Sequence, residues 1–154
     1  MKNNRTLVTT VFFTIILFFF SVSYSFGQTR SMGSDGILGK LQTVIDEAEK
    51  RDMEVVRIEA DIIRTTKETI RTLDPSFSYS IIAVASNRIQ DIDIEVYKKV
   101  NYEWVLIKKD DDAKDAAAVT IQPSAYAEYK IIVKAYKFYT GYDVGHYGLA
   151  IIHD

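Results

Sequence analysis

Asp91-Ile-Asp-Ile-Glu-Val96 alternates acidic with β-branched apolar residues without a break. Successive side chains of a strand point to opposite faces of its sheet, so Ile92, Ile94 and Val96 share one face and the three carboxylates share the other. β-Branched side chains pack well on a half-buried sheet surface. The segment therefore predicts a strand with one face in a hydrophobic core.

The chain on both sides of this segment has the pattern of further strands. Ile81-Ile-Ala-Val-Ala85 is wholly apolar, which predicts that the strand at 77–86 is buried on both faces. Other strands are predicted at 68–72, 102–108, 117–121, 129–138 and 147–153, with turn residues such as Asp74-Pro75 between them. Short strands at this spacing predict a mainly β protein, an antiparallel jelly-roll-like β-sandwich.

One amphipathic α-helix is predicted ahead of the sandwich, at 36–51. Its apolar residues recur at the helical period, namely Ile37, Leu38, Leu41, Val44, Ile45 and Ala48. The polar stretch 28–35 is predicted to be a linker. Residues 53–64 fit either a strand or a continued helix, and their Val- and Ile-rich composition favours a strand. The predicted single domain thus spans 36–154, with the sandwich at 53–154.

The first 27 residues have the layout of a secretory signal peptide. Two basic residues precede an apolar run at 7–20, and small residues at 25 and 27 fit a cleavage site. The run of about 14 residues is shorter than the roughly 20 needed to cross a bilayer. Cleavage before Gln28 is therefore favoured over an uncleaved anchor. The expected location is the periplasm or the extracellular space, with no membrane attachment after cleavage.

Composition excludes several classes of function. The first 27 residues hold two of the 19 basic residues and none of the 21 acidic ones, so the remainder has four more acidic than basic side chains. Such a chain is a poor nucleic-acid binder. The sequence has no cysteine, which excludes disulfides, thiol catalysis, thiolate metal sites and a lipid-modified cysteine.

From about residue 68 to the end, the order of features resembles the bacterial pre-peptidase C-terminal domain. The matching segments are Tyr79–Ala85, Asp91–Tyr97, the acidic loop at 110–115, the strand at 117–121 with Pro123, Tyr129–Val133 and Gly145–Leu149. Ala127-Glu128 departs from the family pattern, which has a glycine before the tyrosine. The resemblance implies a jelly-roll-like sandwich with a noncatalytic accessory or binding role, and calcium or matrix-polymer binding in some relatives.

The sequence offers little support for an enzyme. His146 and His153 are seven residues apart on one predicted strand, so they face opposite ways. No nucleophile, metalloprotease or phosphate-loop motif is present.

The aspartates suggest a calcium site. Asp91 and Asp93 share a strand face, and a sandwich can bring the 110–115 loop beside them. Calcium prefers six to eight oxygen ligands, which carboxylates and loop carbonyls supply. The predicted ligands are Asp91, Asp93, Asp110, Asp111, Asp112 and Asp115. The alternative is a solvated acidic face beside a solvated loop.

Tyrosines are dense near the C-terminus, and most of them fit core or strand-surface packing. Tyr139 and Tyr142 lie in a glycine-containing loop, where they can stack on a ligand. The sequence thus predicts an exported, noncatalytic module that binds an extracytoplasmic protein or polysaccharide. A calcium-dependent or calcium-stabilised version is the alternative.

Overall fold

The computed structural model describes residues 35–154. One helix precedes eight strands: α1 (Asp35–Glu49), β1 (Glu54–Ile63), β2 (Thr66–Leu73), β3 (Tyr79–Ala85), β4 (Ile89–Val100), β5 (Glu103–Asp110), β6 (Ala116–Ile121), β7 (Ala127–Phe138) and β8 (Gly145–His153). The predicted strand at 53–64 is confirmed against the helical alternative. The predicted signal peptide at 1–27 and all but the last residue of the predicted linker at 28–35 lie outside the described residues, and that last residue, Asp35, begins α1.

The strands form two antiparallel four-stranded sheets, in the orders β1-β8-β3-β6 and β2-β7-β4-β5. The first strand pairs with the last, the second with the seventh, and β3 and β4 lie inside their sheets. This order is that of a jelly roll, a double-sheet fold with two Greek keys. The predicted fold class is therefore confirmed.

The core lies between the sheets, and every strand except β5 contributes buried side chains to it. Ile92, Ile94 and Val96 are fully buried, as the alternation in β4 predicts. Ile131, Val133 and Leu149 join them, whereas Trp104 does not. The sequence also predicts an interior position for Trp104, within the strand at 102–108, and this prediction is wrong, because Trp104 is only partly buried and lies beside Lys99 and Lys130 on the edge strand β5.

Helix α1 covers the outer face of the first sheet. Ile37, Leu41 and Val44 pack against Val84 and Ala150 in a second, smaller apolar cluster. This second layer explains why β3 and β8 are apolar on both faces. The helix begins at Asp35 and ends at Glu49, slightly earlier than predicted. Leu38 was expected on the apolar stripe but is exposed.

Helix α1 lies close to the sheet at Gly148. A Cβ atom at this position would lie 2.8 Å from Cγ of Leu41 and 2.9 Å from both of its methyl carbons. A side chain on residue 148 would thus occupy the space that Leu41 fills. Because residue 148 is a glycine, Leu41 of α1 can pack against β8 at this position.

The two ends of the sandwich carry different connections. Strands β1 and β8 pair from Glu54 opposite His153 at one end to Ile63 opposite Gly145 at the other. The loops at 86–88, 111–115 and 139–144 lie at the second end, called the loop end below. No helix in the described part of the chain is long and apolar enough to cross a membrane.

The β4–β5 hairpin turns on two residues. Asn101 and Tyr102 have φ values of 49° and 69°, as the mirror-image turns that join twisted strands require. Val100 pairs with Glu103 across this turn, so Trp104 lies opposite Lys99. A tyrosine in the left-handed region is uncommon, which is why the sequence does not signal this turn.

Candidate functional site

Backbone hydrogen bonds join the loops of the loop end to one another and to the sheets. Tyr139 N donates to Arg88 O at 3.0 Å, and Ser86 N donates to His146 O at 2.9 Å. The 111–115 loop is fixed through two carbonyls, since Ala85 N donates to Asp115 O and Ile92 N donates to Lys114 O, both at 2.9 Å. The predicted tyrosine and aspartate sites therefore belong to the same end of the molecule.

Tyr139 and Tyr142 are each 49% exposed at this end. Tyr142 N donates to Tyr139 O at 3.1 Å, and the Arg88 guanidinium lies 5.2 Å from the Tyr142 ring centroid. The two rings are thus held by a local turn and by a cation–π contact rather than by the core. Tyr136, at the end of β7, is still more exposed and was not singled out by the sequence.

Asp91 and Asp93 are buried, with 7% and 8% of their surfaces exposed, so the expectation of a solvated acidic face is wrong for this pair. Oδ1 of Asp91 is inaccessible and has no hydrogen-bond partner among residues 35–154. Burial, together with the charges of Asp91, Asp111 and Asp110, raises the pKa of Asp93 to about 6 against the opposing effect of Lys134. A carboxylate pair with these properties is a candidate functional feature.

The other four predicted ligands already have partners. Asp110 accepts hydrogen bonds from Ala118 N at 2.9 Å and Asp112 N at 3.2 Å, which ties β5 to the edge of β6. Asp111 pairs with Lys109, Asp112 with Lys114 at 2.9 Å, and Asp115 with Lys40 of α1 at 2.7 Å. Within residues 35–154, no three acidic or histidine side chains converge as a metal-ligand set.

The two histidines lie at opposite ends of β8. His153 stacks on Phe77, with ring centroids 4.1 Å apart, whereas His146 lies at the loop end. They do not form a joint site, as the sequence spacing predicts.

A third feature, which the sequence interpretation missed, lies on the outer face of the second sheet. Lys130 Nζ is 5.3 Å from the Tyr97 ring centroid and 5.1 Å from that of Trp104. Lys99 Nζ lies 5.7 Å from the same Trp104 ring. We call Tyr97, Trp104 and Lys130 the lysine–aromatic platform. The alternation of β4 continues through Tyr97 and Lys99, so the outward position of Tyr97 could have been predicted.

No protein-family model matches this sequence, and no curated protein matches it. Similar solved structures include a periplasmic inhibitor of g-type lysozyme from Aeromonas hydrophila, at 10% identity and a TM-score of 0.43, covering 66% of this chain and 86% of the inhibitor. The Yersinia pseudotuberculosis-derived mitogen has 14% identity and a TM-score of 0.42, with 64% and 84% covered.

The pre-peptidase C-terminal domain of a Bacillus anthracis collagenase is similar at 13% identity and a TM-score of 0.40, with 62% of this chain and 87% of that domain covered. Identities and scores this low carry no inference about ligands or chemistry.

Proposed function

We propose that this chain is an exported, noncatalytic binding module that holds an extracytoplasmic protein or polysaccharide at its loop end. The observation that carries the proposal is the exposure of Tyr139 and Tyr142 on a loop fixed through Arg88. Aromatic rings that are held in place lose little conformational freedom on binding and provide a large contact area. The rigid sandwich behind the loops supplies the scaffold on which binding loops are commonly placed.

The test is a binding screen with purified peptidoglycan and an array of bacterial and host glycans. We expect at least one of these polymers to bind. Replacing both tyrosines by alanine should weaken that binding about tenfold or more, because central aromatic residues dominate interface energies. Tyr126→Ala is the matched control, since Tyr126 is also exposed but lies at the opposite end of the sandwich. Equal loss in the control and the double variant would contradict the proposal, and the absence of any bound polymer would contradict a polysaccharide ligand and leave a protein as the expected one.

A second candidate function is calcium-dependent stabilisation or binding at Asp91 and Asp93. The orphan Oδ1 of Asp91 favours it, because a buried carboxylate oxygen without a partner is costly and a cation would satisfy it. Asp110 and Asp111 are near enough for their charges to act on Asp93, so loop carboxylates are available as further ligands if they leave their present partners. Asp112 and Asp115 would also have to leave their present partners, Lys114 and Lys40.

Melting curves with calcium and with magnesium test this candidate. A native-state ligand raises the free energy of unfolding by about 2.7 kcal/mol at a hundredfold excess over Kd. We expect a gain specific to calcium that Asp93→Asn reduces and that Asp61→Asn, on β1, leaves intact. Equal shifts with calcium and magnesium would instead favour a buried acidic pair without a metal.

A further inference from the structure

The two sheets differ in what covers their outer faces. Helix α1 packs on the first sheet, whereas no described element covers the lysine–aromatic platform on the second. Cross-strand pairing places Ile70, Lys130, Tyr97 and Leu106 in one row across β2, β7, β4 and β5. Both ends of the row, Ile70 and Leu106, are exposed. The row thus has exposed apolar side chains at both ends and the partly buried Lys130 and Tyr97 between them, and exposed apolar groups next to polar ones are a feature of interaction surfaces.

Two lysines beside this row, Lys99 and Lys134, are paired with carboxylates, whereas Lys130 is not paired with one in residues 35–154. Lys99 pairs with Glu128, and Lys134 pairs with Glu95, which also accepts a hydrogen bond from the Tyr97 hydroxyl at 2.6 Å. Lys130 has no carboxylate partner within the described residues, and its ammonium group contacts only the faces of two rings. A bound anion would therefore contact the ammonium group of Lys130, which lies near the rings of Tyr97 and Trp104 and has no carboxylate partner in the described part of the chain.

The shape of the surface limits what can bind. Strands β7 and β4, which carry Lys130 and Tyr97, are hydrogen-bonded on both sides, so the centre of the row offers no free strand edge to an added peptide strand. The platform is the flat face of a sheet rather than a pocket, so it favours a ligand that is itself flat and rigid. A sugar ring has this shape, and its C–H groups can contact the electron-rich faces of Tyr97 and Trp104.

We propose that the lysine–aromatic platform binds an acidic polysaccharide, whose rings stack on Tyr97 and Trp104 while a carboxylate or sulfate pairs with Lys130. Charge-assisted hydrogen bonds between an ammonium group and such anions are among the stronger polar contacts. This surface is separate from the loop end, so the inference does not depend on the binding site proposed there.

Trp104 is the only tryptophan in the sequence, so its fluorescence reports on the platform directly. We expect titration with polygalacturonate or dextran sulfate to change the emission, and the stronger of the two responses identifies the carboxylate or the sulfate as the preferred anion. Neutral dextran should give no change. An equal response to dextran would overturn the requirement for charge, and an equal response to polyglutamate would overturn the requirement for a sugar.

Lys130→Met tests the cation, because methionine keeps the apolar stem and removes the charge. A lost charge-assisted contact should weaken binding about tenfold. Lys137→Met is the control on the same strand, and the Tyr139→Ala/Tyr142→Ala variant should bind as the unsubstituted protein does. Unchanged affinity in Lys130→Met, or no response to either acidic polymer, would overturn the proposal without affecting the one at the loop end.

Discussion

At the scale of single residues, Asp93 makes the stability of the protein depend on pH. Burial and neighbouring carboxylates raise its pKa from 3.8 to about 6, so between these pH values the folded state holds a proton that the unfolded chain releases. Stability falls as pH rises wherever the folded state binds more protons. The contribution of Asp93 is therefore lost progressively between about pH 4 and pH 6, by roughly 3 kcal/mol in total.

Asp93→Asn should remove this dependence, because an amide carries no charge at either pH. We expect the variant to be at least as stable as the unsubstituted protein at about pH 7.5 and to lose that advantage near pH 3.5, where Asp93 is protonated in both states. Urea unfolding across this pH range measures the difference. A difference that stays constant with pH would show that Asp93 is not desolvated as the structure indicates.

Ile94 tests the assignment of the core at the same scale. The side chain is fully buried between the sheets, so Ile94→Ala should lower the free energy of unfolding by about 2–5 kcal/mol, the usual cost of a large-to-small core substitution. Ile62→Ala is the matched control, because more than half of the Ile62 surface is exposed. Its cost should stay within about 0.5 kcal/mol. Similar costs for the two substitutions, measured by chemical denaturation, would contradict the assignment.

At the scale of elements, the packing of α1 against β8 depends on the absence of a side chain at Gly148. Gly148→Ala would force its Cβ against Leu41, and overpacking of this kind costs about 1–3 kcal/mol. Gly39→Ala provides an internal contrast, because a Cβ at Gly39 in α1 meets nothing within 4 Å. That substitution should stabilise the helix by up to about 1 kcal/mol.

A double-mutant cycle attributes the effect to the contact itself. Leu41→Ala leaves room beside residue 148, so the cost of Gly148→Ala should be smaller in the Leu41→Ala background than alone. Thermal unfolding of the four proteins measures this coupling. Additive costs would mean that Gly148→Ala acts through the strand rather than through the helix.

The elements also show what sequence patterns can and cannot predict here. Periodicity alone predicts α1 and β4 well, because each buries one regular face. The position of the 111–115 loop beside β4 is expected from the fold class rather than from periodicity, and the sequence does not show the contact that fixes it, in which Ile92 N donates to Lys114 O. Contacts of this kind depend on residues distant in sequence. For the same reason, Asp110 could not be recognised as a link between β5 and β6 rather than a free metal ligand.

Trp104 illustrates the same limit for a hairpin. Its large apolar side chain suggests a core position, and only the register across the two-residue turn places it outward, opposite Lys99. Turn residues such as Asn-Gly usually reveal that register, but Asn101-Tyr102 does not. The candidate platform therefore becomes apparent only from the structure.

At the scale of the whole molecule, the export prediction concerns residues that the structure does not describe. We expect the mature protein to begin at Gln28, because residues 1–27 combine a basic start, a short apolar run and a small-residue cleavage site. Intact-mass spectrometry of the protein from the exporting cell tests this expectation. A mass that includes Met1, together with retention in the membrane fraction, would favour the uncleaved anchor.

The pairing of β1 with β8 also determines the orientation of the protein when it is attached to a solid support through Asp154. Asp154 follows the end of β8 that pairs with Glu54, whereas the loop end begins a strand's length away, roughly 30 Å at 3.3 Å per residue. An affinity tag or a surface linker attached at Asp154 would therefore hold the protein by the end opposite the loop end. Tyr139 and Tyr142 would then point away from the support. The same attachment would leave the sheet face with Trp104 accessible from the side.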